Sequence, residues 1–585
     1  MILAGLHIGH DANATIMVDG EIRVVVEAER VLDEKHVTGL DAALAALSAA
    51  LEFCDRSPSD IESICISDDL TPRLSMEVGH PKIKAATHAR PYVVCLEQES
   101  GVFADLTERF VGTPLYICCH GLAHAAAGIY MSGFSDCQAV VYDGHGSCSA
   151  SLTARYDGNS LALDEAWSNS LMMGHRYSQF GYFLNDLHRD IAVGNGQLMV
   201  RNVLDFAGKI MGLHAYGTAL EQDVRDLEEW FRHPDVNLYL SCYSEPSPAP
   251  VVGLRPGNVY HSLRLDCLKS SDPRSRDIIA AMQEAFSRVA VAEIGRAMAR
   301  GGAERLVLSG GCALNIVTNE RVAKMSEVRE LFVPPNCDDR GISMGAALLL
   351  DSALTGVPLH RPNVDLARRR SPYQGLPVAR DVAVPPDGVS AMAFPLSERD
   401  NLDAMARWLA SDRIVGMVHG RGEIGPRALG HRSILASPAR VEMKDTINQR
   451  IKHREWWRPF APVVRSIDLD RYFDVSRHDP YMLTGGLVRP EFRDRLAAIT
   501  HIDGTARVQS LPDRAANPEL WDLLTALAGL TGIGILLNTS YNAGGKPLAH
   551  RTSSAFALLR ETGLDALWMD GTVYWKATAE GFAPQ

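Results

Sequence analysis

Apolar and turn residues alternate at the start of the chain as they would in a hairpin. Ile2 to Gly5 is followed by Ala14 to Val18, a turn at Asp19-Gly20, and Ile22 to Glu27. Helical stretches follow at Leu40 to Phe53 and around Glu108. Strand-like runs at Ser63 to Ser67, Leu115 to Cys118, Gln138 to Tyr142 and Leu306 to Leu308 alternate with helices, which predicts an α/β fold. Several of these runs end in glycine-rich turns, the place where α/β folds bind ligands. The segment HRPNVDLARRRSPYQG, His360 to Gly375, combines proline, glycine and an arginine cluster without hydrophobic periodicity, and reads as a linker. It predicts two domains, 1–362 and 363–585. After it, a helix from Glu398 to Ser411 leads to a strand at Ile414 to Val418, and neither a short-period repeat nor a low-complexity tract is present.

The 585 residues, 46% hydrophobic and 22% charged, exceed one ordinary domain and call for at least two cores. A net charge of −13 with both signs interspersed argues against a broad basic footprint for nucleic acid or an anionic membrane, while leaving room for local basic pockets. The 11 cysteines are scattered and free of CxxC spacing, with one adjacent pair at Cys118 and Cys119, as suits a reducing cytosol. The N-terminus lacks the basic start and cleavage site of a signal peptide, and no run of about 18 apolar residues occurs. A cytoplasmic chain with neither nucleic-acid nor membrane partners is therefore expected, as a monomer or homodimer.

Candidate chemistry begins with HGLAHAAAGIYMSG. If that alanine-rich stretch is helical, His120 and His124 project from one face and can share a cation. Asp143 ends a strand and opens a DGHG turn, and Asp339 follows the strand-like LFVPPN and precedes a helix start at Gly341. Two histidines with one or two aspartates suit a borderline divalent ion with positions left open. His145 competes with Asp143, and Asp338 with Asp339. Structural histidines on a partly buried helix are the alternative.

SGGCALN, Ser309 to Asn315, follows a strand and precedes a helical stretch, so its amides could cradle phosphate; a plain tight turn is the competing reading. DGHG and the opening GHDANA are similar in kind. Three glycine-bearing strand ends in one domain resemble the duplicated ATPase fold of actin, sugar kinases and chaperones. Further on, GRGEIGPRALGHRSIL brings Arg421, Arg427 and Arg432 to a loop, and KHREWWRPFAPVV adds Lys452, Arg454 and Arg458 beside Trp456 and Trp457. Basic runs are commonly solvated faces. Here their interleaving with tryptophan, glycine and proline favours a shaped pocket that holds phosphate through forked hydrogen bonds.

In order along the chain, GHDANA, EAERVLDEKH, HGLAHAA, VYDGHG, GKIMGLHAYG, LSGGCALN, DRGISMGAA, GRGEIGPRALGHRS, KHREWWRPFAP, DGTARVQ and LLNTSYN resemble the NodU/CmcH family of O-carbamoyltransferases over nearly the whole length. The resemblance implies an actin-like (ASKHA) metal-binding N-terminal domain of duplicated βαβ type fused to a YrdC-like α/β C-terminal domain. It further implies that carbamoyl phosphate and ATP give carbamoyl-adenylate in the second domain, and that the first passes the carbamoyl group to a hydroxyl of a small-molecule acceptor. By motif position, Arg421, Arg427, Arg432, Lys452, Arg454, Arg458, Arg507, Asn538 and Ser540 would hold the anions, with Gly144, Lys209, Gly310, Gly311 and Asn315 at the nucleotide in the first domain. His120, His124, Asp143 and Asp339 match the family's ligands for Fe(II), and Mg²⁺ is a further candidate cofactor. His10 is the expected base, with Asp11 orienting or replacing it, and Lys35 completes the catalytic set. The chain departs from the family at His214 in GLHAYG and at Lys546, and its loop before His10 is short.

Rival readings are a kinase on the actin-like fold, which leaves the second domain unexplained, and a tRNA-threonylcarbamoyl or hydrogenase-maturation enzyme. The acidic balance disfavours tRNA, and the lack of CxxC motifs or an acylphosphatase-like start disfavours the hydrogenase pathway. A non-enzymatic metal clip would consume no carbamoyl phosphate.

Overall fold

The computed structural model describes residues 1–67, 83–85, 93–96, 104–144, 151–167, 173–187, 196–233, 254–264 and 266–576. The fold is mixed α/β and divides into two compact units. The first comprises Met1–His10, Met17–Glu21 and Ser57–Arg369; the second comprises Asp11–Ile16, Ile22–Arg56 and Arg370–Gln585. The division at Arg369 lies within the segment read as a linker, which is more structured than its composition suggests. Arg361 and Arg369 are buried there: Arg361 pairs with Asp351, and Arg369 Nη1 donates to the Tyr130 carbonyl at 3.0 Å. An arginine cluster at an exposed hinge and one that clamps buried carbonyls have the same composition, which is why the sequence reads as a loose connection.

The seven-stranded sheet containing β1 (Ile2–His7) also holds β2 (Asn13–Val18), β3 (Glu21–Glu27), β4 (Ser63–Ser67), β5 (Ile83–Ala85), β6 (Val93–Leu96) and β7 (Leu115–Cys118), in the order β3-β2-β1-β4-β7-β6-β5. A five-stranded sheet of β8 (Cys137–Tyr142), β9 (Ser151–Tyr156), β10 (Leu161–Trp167), β11 (Arg305–Ser309) and β12 (Glu330–Phe332) has the order β10-β9-β8-β11-β12. In both sheets the first strand is followed on one side by two parallel neighbours, β4 and β7 in one and β11 and β12 in the other. One strand order therefore occurs twice.

The helix His120–Ser132 is buried along its whole length and packs against β8 and β11. It also packs against the helix Ile342–Thr355, which lies on β1 and β4. Close approach requires glycine here. A Cβ on Gly345 would stand 1.8 Å from the Ala123 carbonyl oxygen, and one on Gly5 would stand 1.9 Å from that of Ser343.

The second unit is built on β13 (Val389–Ala393), β14 (Val415–Val418), β15 (Arg432–Ala436), β16 (Ala461–Arg465), β20 (Gln509–Leu511), β21 (Ile535–Ser540), β22 (Ala566–Met569) and β23 (Thr572–Lys576), in the order β13-β23-β22-β14-β15-β21-β16-β20. A smaller sheet joins β17 (Phe473–Val475), β18 (Gly486–Val488) and β19 (Thr505–Ala506). Both faces of the large sheet are covered, and the two-residue period sorts its side chains. Ile434 and Leu537 join a core with Ile447, Ile451 and Phe460, whereas Leu435 and Leu536 join one with Leu409, Leu523 and Leu527.

Candidate functional site

In the first unit, helical spacing places His120 and His124 on one face, as their four-residue separation predicts, with the Nε2 atoms 3.2 Å apart. Asp143 follows β8 directly, and Asp339 begins a short turn before the helix Ile342–Thr355, so each carboxylate stands at the start of a connection. His124 Nε2 is 3.2 Å from Asp143 Oδ2 and 3.4 Å from Asp339 Oδ1; the corresponding His120 distances are 3.8 and 3.7 Å. All four groups are buried. Asp143 Oδ1 accepts the Gly144 N–H at 2.6 Å, while its buried Oδ2 faces the two imidazoles. Bonds of about 2.1 Å arranged tetrahedrally about one ion separate neighbouring ligand atoms by roughly 3.4 Å, the spacing these pairs approximate. The donor set of two imidazoles and two carboxylates therefore fits a divalent cation.

The electrostatics agree with mutual attraction inside a dry site. Burial opposes ionisation of His124, but hydrogen bonds with Asp143 and Asp339 outweigh it and hold the imidazole pKa above its usual value. Burial likewise opposes the Asp339 carboxylate; the charges of His10 and His120 and the hydrogen bonds of His124 and His7 overcome that and place it well below the ordinary range. His10 Nε2 is 3.2 Å from Asp339 Oδ2, and with 24% of its side chain exposed it is the most accessible imidazole of the group. His7 lies 3.5 Å from the same oxygen, fully buried at the end of β1. The sequence reading missed His7. Its place three residues before His10 was the available signal.

Asp11 differs from expectation. Its carboxylate accepts from His36 Nδ1 at 2.8 Å, and the oxygen facing His10 belongs to Asp339. Lys35 adds its charge to that of Lys452 in the second unit. Gly310 is required where it stands: its φ is +90°, and a Cβ would lie 2.4 Å from the Tyr142 carbonyl oxygen. A Cβ on Gly311 would lie 3.0 Å from Asp143 Oδ1. Asn315 is occupied locally, its Oδ1 accepting from Thr318 N at 3.0 Å and from Gln283 Nε2 at 3.2 Å. Lys209 lies on the helix Gly196–Leu213 with its ammonium 6.0 Å from the Phe206 ring. His214 Nδ1 bonds the Met211 carbonyl at 2.5 Å. His145 falls outside the described residues. Asp338 caps the turn and pairs with Arg340 at 2.6 Å, apart from the four-residue cluster.

The second unit gathers cations. Lys452 is buried, its Nζ donating to Ser540 Oγ at 2.9 Å, Asn542 Oδ1 at 2.6 Å and the Asn542 carbonyl at 3.0 Å, and to the Ser540 carbonyl. Burial and then the charges of Arg454, Arg458 and Lys35 push its ammonium well below the usual lysine value. Burial, Arg427, Arg454 and Arg458 do the same to Arg507. Among the described residues, Arg507 Nε is buried without a hydrogen-bond partner, as is Asn538 Oδ1, and Arg458 Nη1 stands 3.7 Å from Glu455. Like charges this close cost stability unless an anion joins them.

Arg432 and Arg421 do otherwise. Arg432 donates to the carbonyls of Ala549, His419, His431 and Gly420 at 2.5 to 3.1 Å, and Arg421 to those of Gly375, Arg23 and Gln374 at 2.5 to 2.8 Å. Both act as backbone clamps.

A family model described as Carbamoyltransferase N-terminus matches residues 3–348, and one described as Carbamoyltransferase C-terminus matches residues 406–576. The chain belongs to the NodU/CmcH family of carbamoyltransferases. The enzyme is 31% identical over 455 residues to nodulation protein NolO of Bradyrhizobium diazoefficiens, covering 77% of each chain. Against 3'-hydroxymethylcephem-O-carbamoyltransferase of Amycolatopsis lactamdurans the identity is 35% over 380 residues, 65% of this chain and 66% of that protein. Among solved structures, component A of the Acidaminococcus fermentans (R)-2-hydroxyglutaryl-CoA dehydratase covers 61% of the carbamoyltransferase and 100% of its own chain, at 14% identity and a TM-score of 0.32. Among the described residues, no helix is long and apolar enough to cross a membrane.

Proposed function

We propose that this carbamoyltransferase is ATP-dependent, forming carbamoyl-adenylate in the second unit and delivering the carbamoyl group to a small-molecule hydroxyl at the His/Asp cluster of the first. The observation that carries the reading is the pairing of two unlike sites in one chain: a buried gathering of like-charged cations, and a buried set of metal-type ligands. A twice-repeated strand order supports an actin-like first domain, and the family match over 406–576 supports a separate, YrdC-like donor-forming domain. The cytoplasmic setting expected from the sequence suits such chemistry.

In the cationic site, Arg427, Arg458 and Arg507 bind the phosphoryl group of carbamoyl phosphate, and Lys452 offsets charge at the leaving phosphate. Water cleaves off phosphate; a carbamate oxygen then attacks the α-phosphorus of ATP, and pyrophosphate leaves. In the first unit His120, His124, Asp143 and Asp339 would hold the divalent cation, which supplies Lewis-acid polarisation of the acyl carbonyl. With His10 Nε2 turned to Asp339 at 3.2 Å, Nδ1 is the nitrogen that takes the acceptor's hydroxyl proton as its oxygen attacks the carbamoyl carbon and AMP departs. The O-carbamoyltransferase named among the relatives favours a natural-product hydroxyl as acceptor, in antibiotic biosynthesis for example.

Lys452→Ala should abolish carbamoyl-phosphate-dependent pyrophosphate release. His120→Ala should spare that release and lose transfer. Loss of the same step in both variants refutes the two-site scheme.

A further inference from the structure

The turn 542–546 lies against Lys452. Asn542 Oδ1 accepts from the Lys452 ammonium at 2.6 Å, and a Cβ on Gly544 would stand 2.5 Å from the Lys452 carbonyl oxygen. The amide of Asn542 is fixed from its other edge: Nδ2 donates to the Lys546 carbonyl at 2.5 Å, and a flip would set its NH2 group against the ammonium. The side chain of Lys546 reaches a second element. Its Nζ donates to the Asp33 carbonyl at 3.1 Å and to Asp33 Oδ2 at 3.2 Å.

Asp33 closes the helix Ala28–Leu32 in the left-handed conformation, with φ +54°. Carbonyls at the end of a helix lack partners inside it and attract cations. Here Lys546 takes that of Asp33, and Arg551 Nη2 donates to that of Val31 at 2.8 Å. One stretch of chain thus holds the strap 31–35 by its main chain. Lys35 lies two residues past Asp33, and its charge acts on Lys452. Lys452 therefore answers to two elements, the turn that bonds its ammonium and the strap that carries a like charge, and the Asp33–Lys546 contact joins them. The side chains of that pair are 41% and 54% exposed, and an ion pair so open to water contributes little to stability. It can be removed with the fold intact.

We infer that Lys546 is a positioning residue of the cationic site: through Asp33 it fastens the strap 31–35 to the turn 542–546 and so sets the surroundings of Lys452. The inference rests on the reading of the cationic cluster as a phosphate site. It goes beyond that reading in giving a role to an exposed pair that touches no substrate.

The test is binding of inorganic phosphate to the full-length enzyme by calorimetry, with thermal melting followed in parallel. Lys546→Ala should weaken phosphate about fivefold, whereas Lys546→Arg, which keeps a cation for Asp33, should stay within about twofold of wild type. Asp33→Gly keeps the left-handed turn and removes a negative charge, so a plain field effect would tighten phosphate. The inference expects the opposite sign, a loss of about threefold. The double variant Asp33→Gly/Lys546→Ala should bind no more weakly than Lys546→Ala alone. Phosphate bound by Asp33→Gly as tightly as by wild type, or more tightly, overturns the inference. So does a double variant weakened by both factors multiplied, or a Lys546→Arg variant as weak as Lys546→Ala. A fall in melting temperature of more than about 5 °C in either single variant also overturns it, because the pair would then act through stability. The expected binding pattern without pyrophosphate release from carbamoyl phosphate and ATP would sink the proposed function and leave the role of Lys546 standing.

Discussion

Acidification should destabilise the second unit through three histidines that the fold keeps neutral, and His431 allows the effect to be isolated. Burial, aided by Arg432 and opposed by the bond to the Arg421 carbonyl, pushes the His431 pKa down to about 3. Burial, with Arg432, Arg30 and Arg551, lowers His550 to about 4, and burial with His431 holds His419 well below its usual value. An unfolded histidine titrates near 6.5. Between pH 6.5 and the folded values the unfolded chain binds protons that the native chain refuses, so stability is complete above about pH 6.5 and is lost as the pH falls. For His431 the interval from 6.5 to about 3 is worth at most roughly 5 kcal/mol, at about 1.36 kcal/mol per pH unit, and residual solvent access reduces it. The perturbation is His431→Gln, which keeps a donor for the Arg421 carbonyl and replaces the imidazole stacked 3.5 Å from the Tyr373 ring. Urea unfolding of the full chain, followed by tryptophan fluorescence, gives stability at pH 7.5, 6 and 5. Wild type should lose about 1.2 kcal/mol more than the variant between pH 6 and 5. Parallel pH profiles would refute the reasoning, because the deeply lowered His431 would then not exist.

Removal of bound metal by a chelator should lower the melting temperature and stop carbamoyl transfer, while pyrophosphate release continues; equal loss of both activities would contradict the assignment of separate sites. Gly310→Ala forces a side chain into a left-handed φ beside the Tyr142 carbonyl and should cost about 3 kcal/mol in chemical denaturation. Arg507→Met should raise the melting temperature in phosphate-free buffer by relieving repulsion, and should abolish the roughly 2.7 kcal/mol gain that phosphate at a hundred times its Kd gives wild type. His10→Asn should lower transfer about a hundredfold or more with metal content unchanged, as read by product formation and metal analysis.

Local pattern made much of the N-terminal part of the chain legible. The helix Leu40–Phe53 and the strands at 63–67 and 115–118 stand where the apolar runs end, because each is bounded by turn residues that no tertiary contact overrides. The His120 and His124 pair was readable from spacing alone, since a helix converts four residues into one face. The aspartates were harder. Only the return of the chain after β8 and before the helix Ile342–Thr355 brings Asp143 and Asp339 together, a separation of nearly two hundred residues that leaves no periodic trace. Arginine roles were the least legible. Arg432 and Arg507 look alike in sequence, but one faces backbone carbonyls and the other like charges, and that choice is made by strand register in the folded unit. Asp11 illustrates the same limit, since its partner His36 lies in a segment read only as a motif.

The glycine contacts at Gly5 and Gly345 bear on which ion the proposed site would accept. Strand β1, the His120–Ser132 helix and the Ile342–Thr355 helix touch backbone to backbone, so the helix that carries His120 and His124 and the helix that follows Asp339 have almost no room to part. A calcium ion, with bonds of about 2.3–2.6 Å, would need all four donors to retreat together. An ion held by these four donors would thus be limited in radius by main-chain contact behind them, and enlarging either glycine should relax that limit, as read by the metal preference of the purified enzyme.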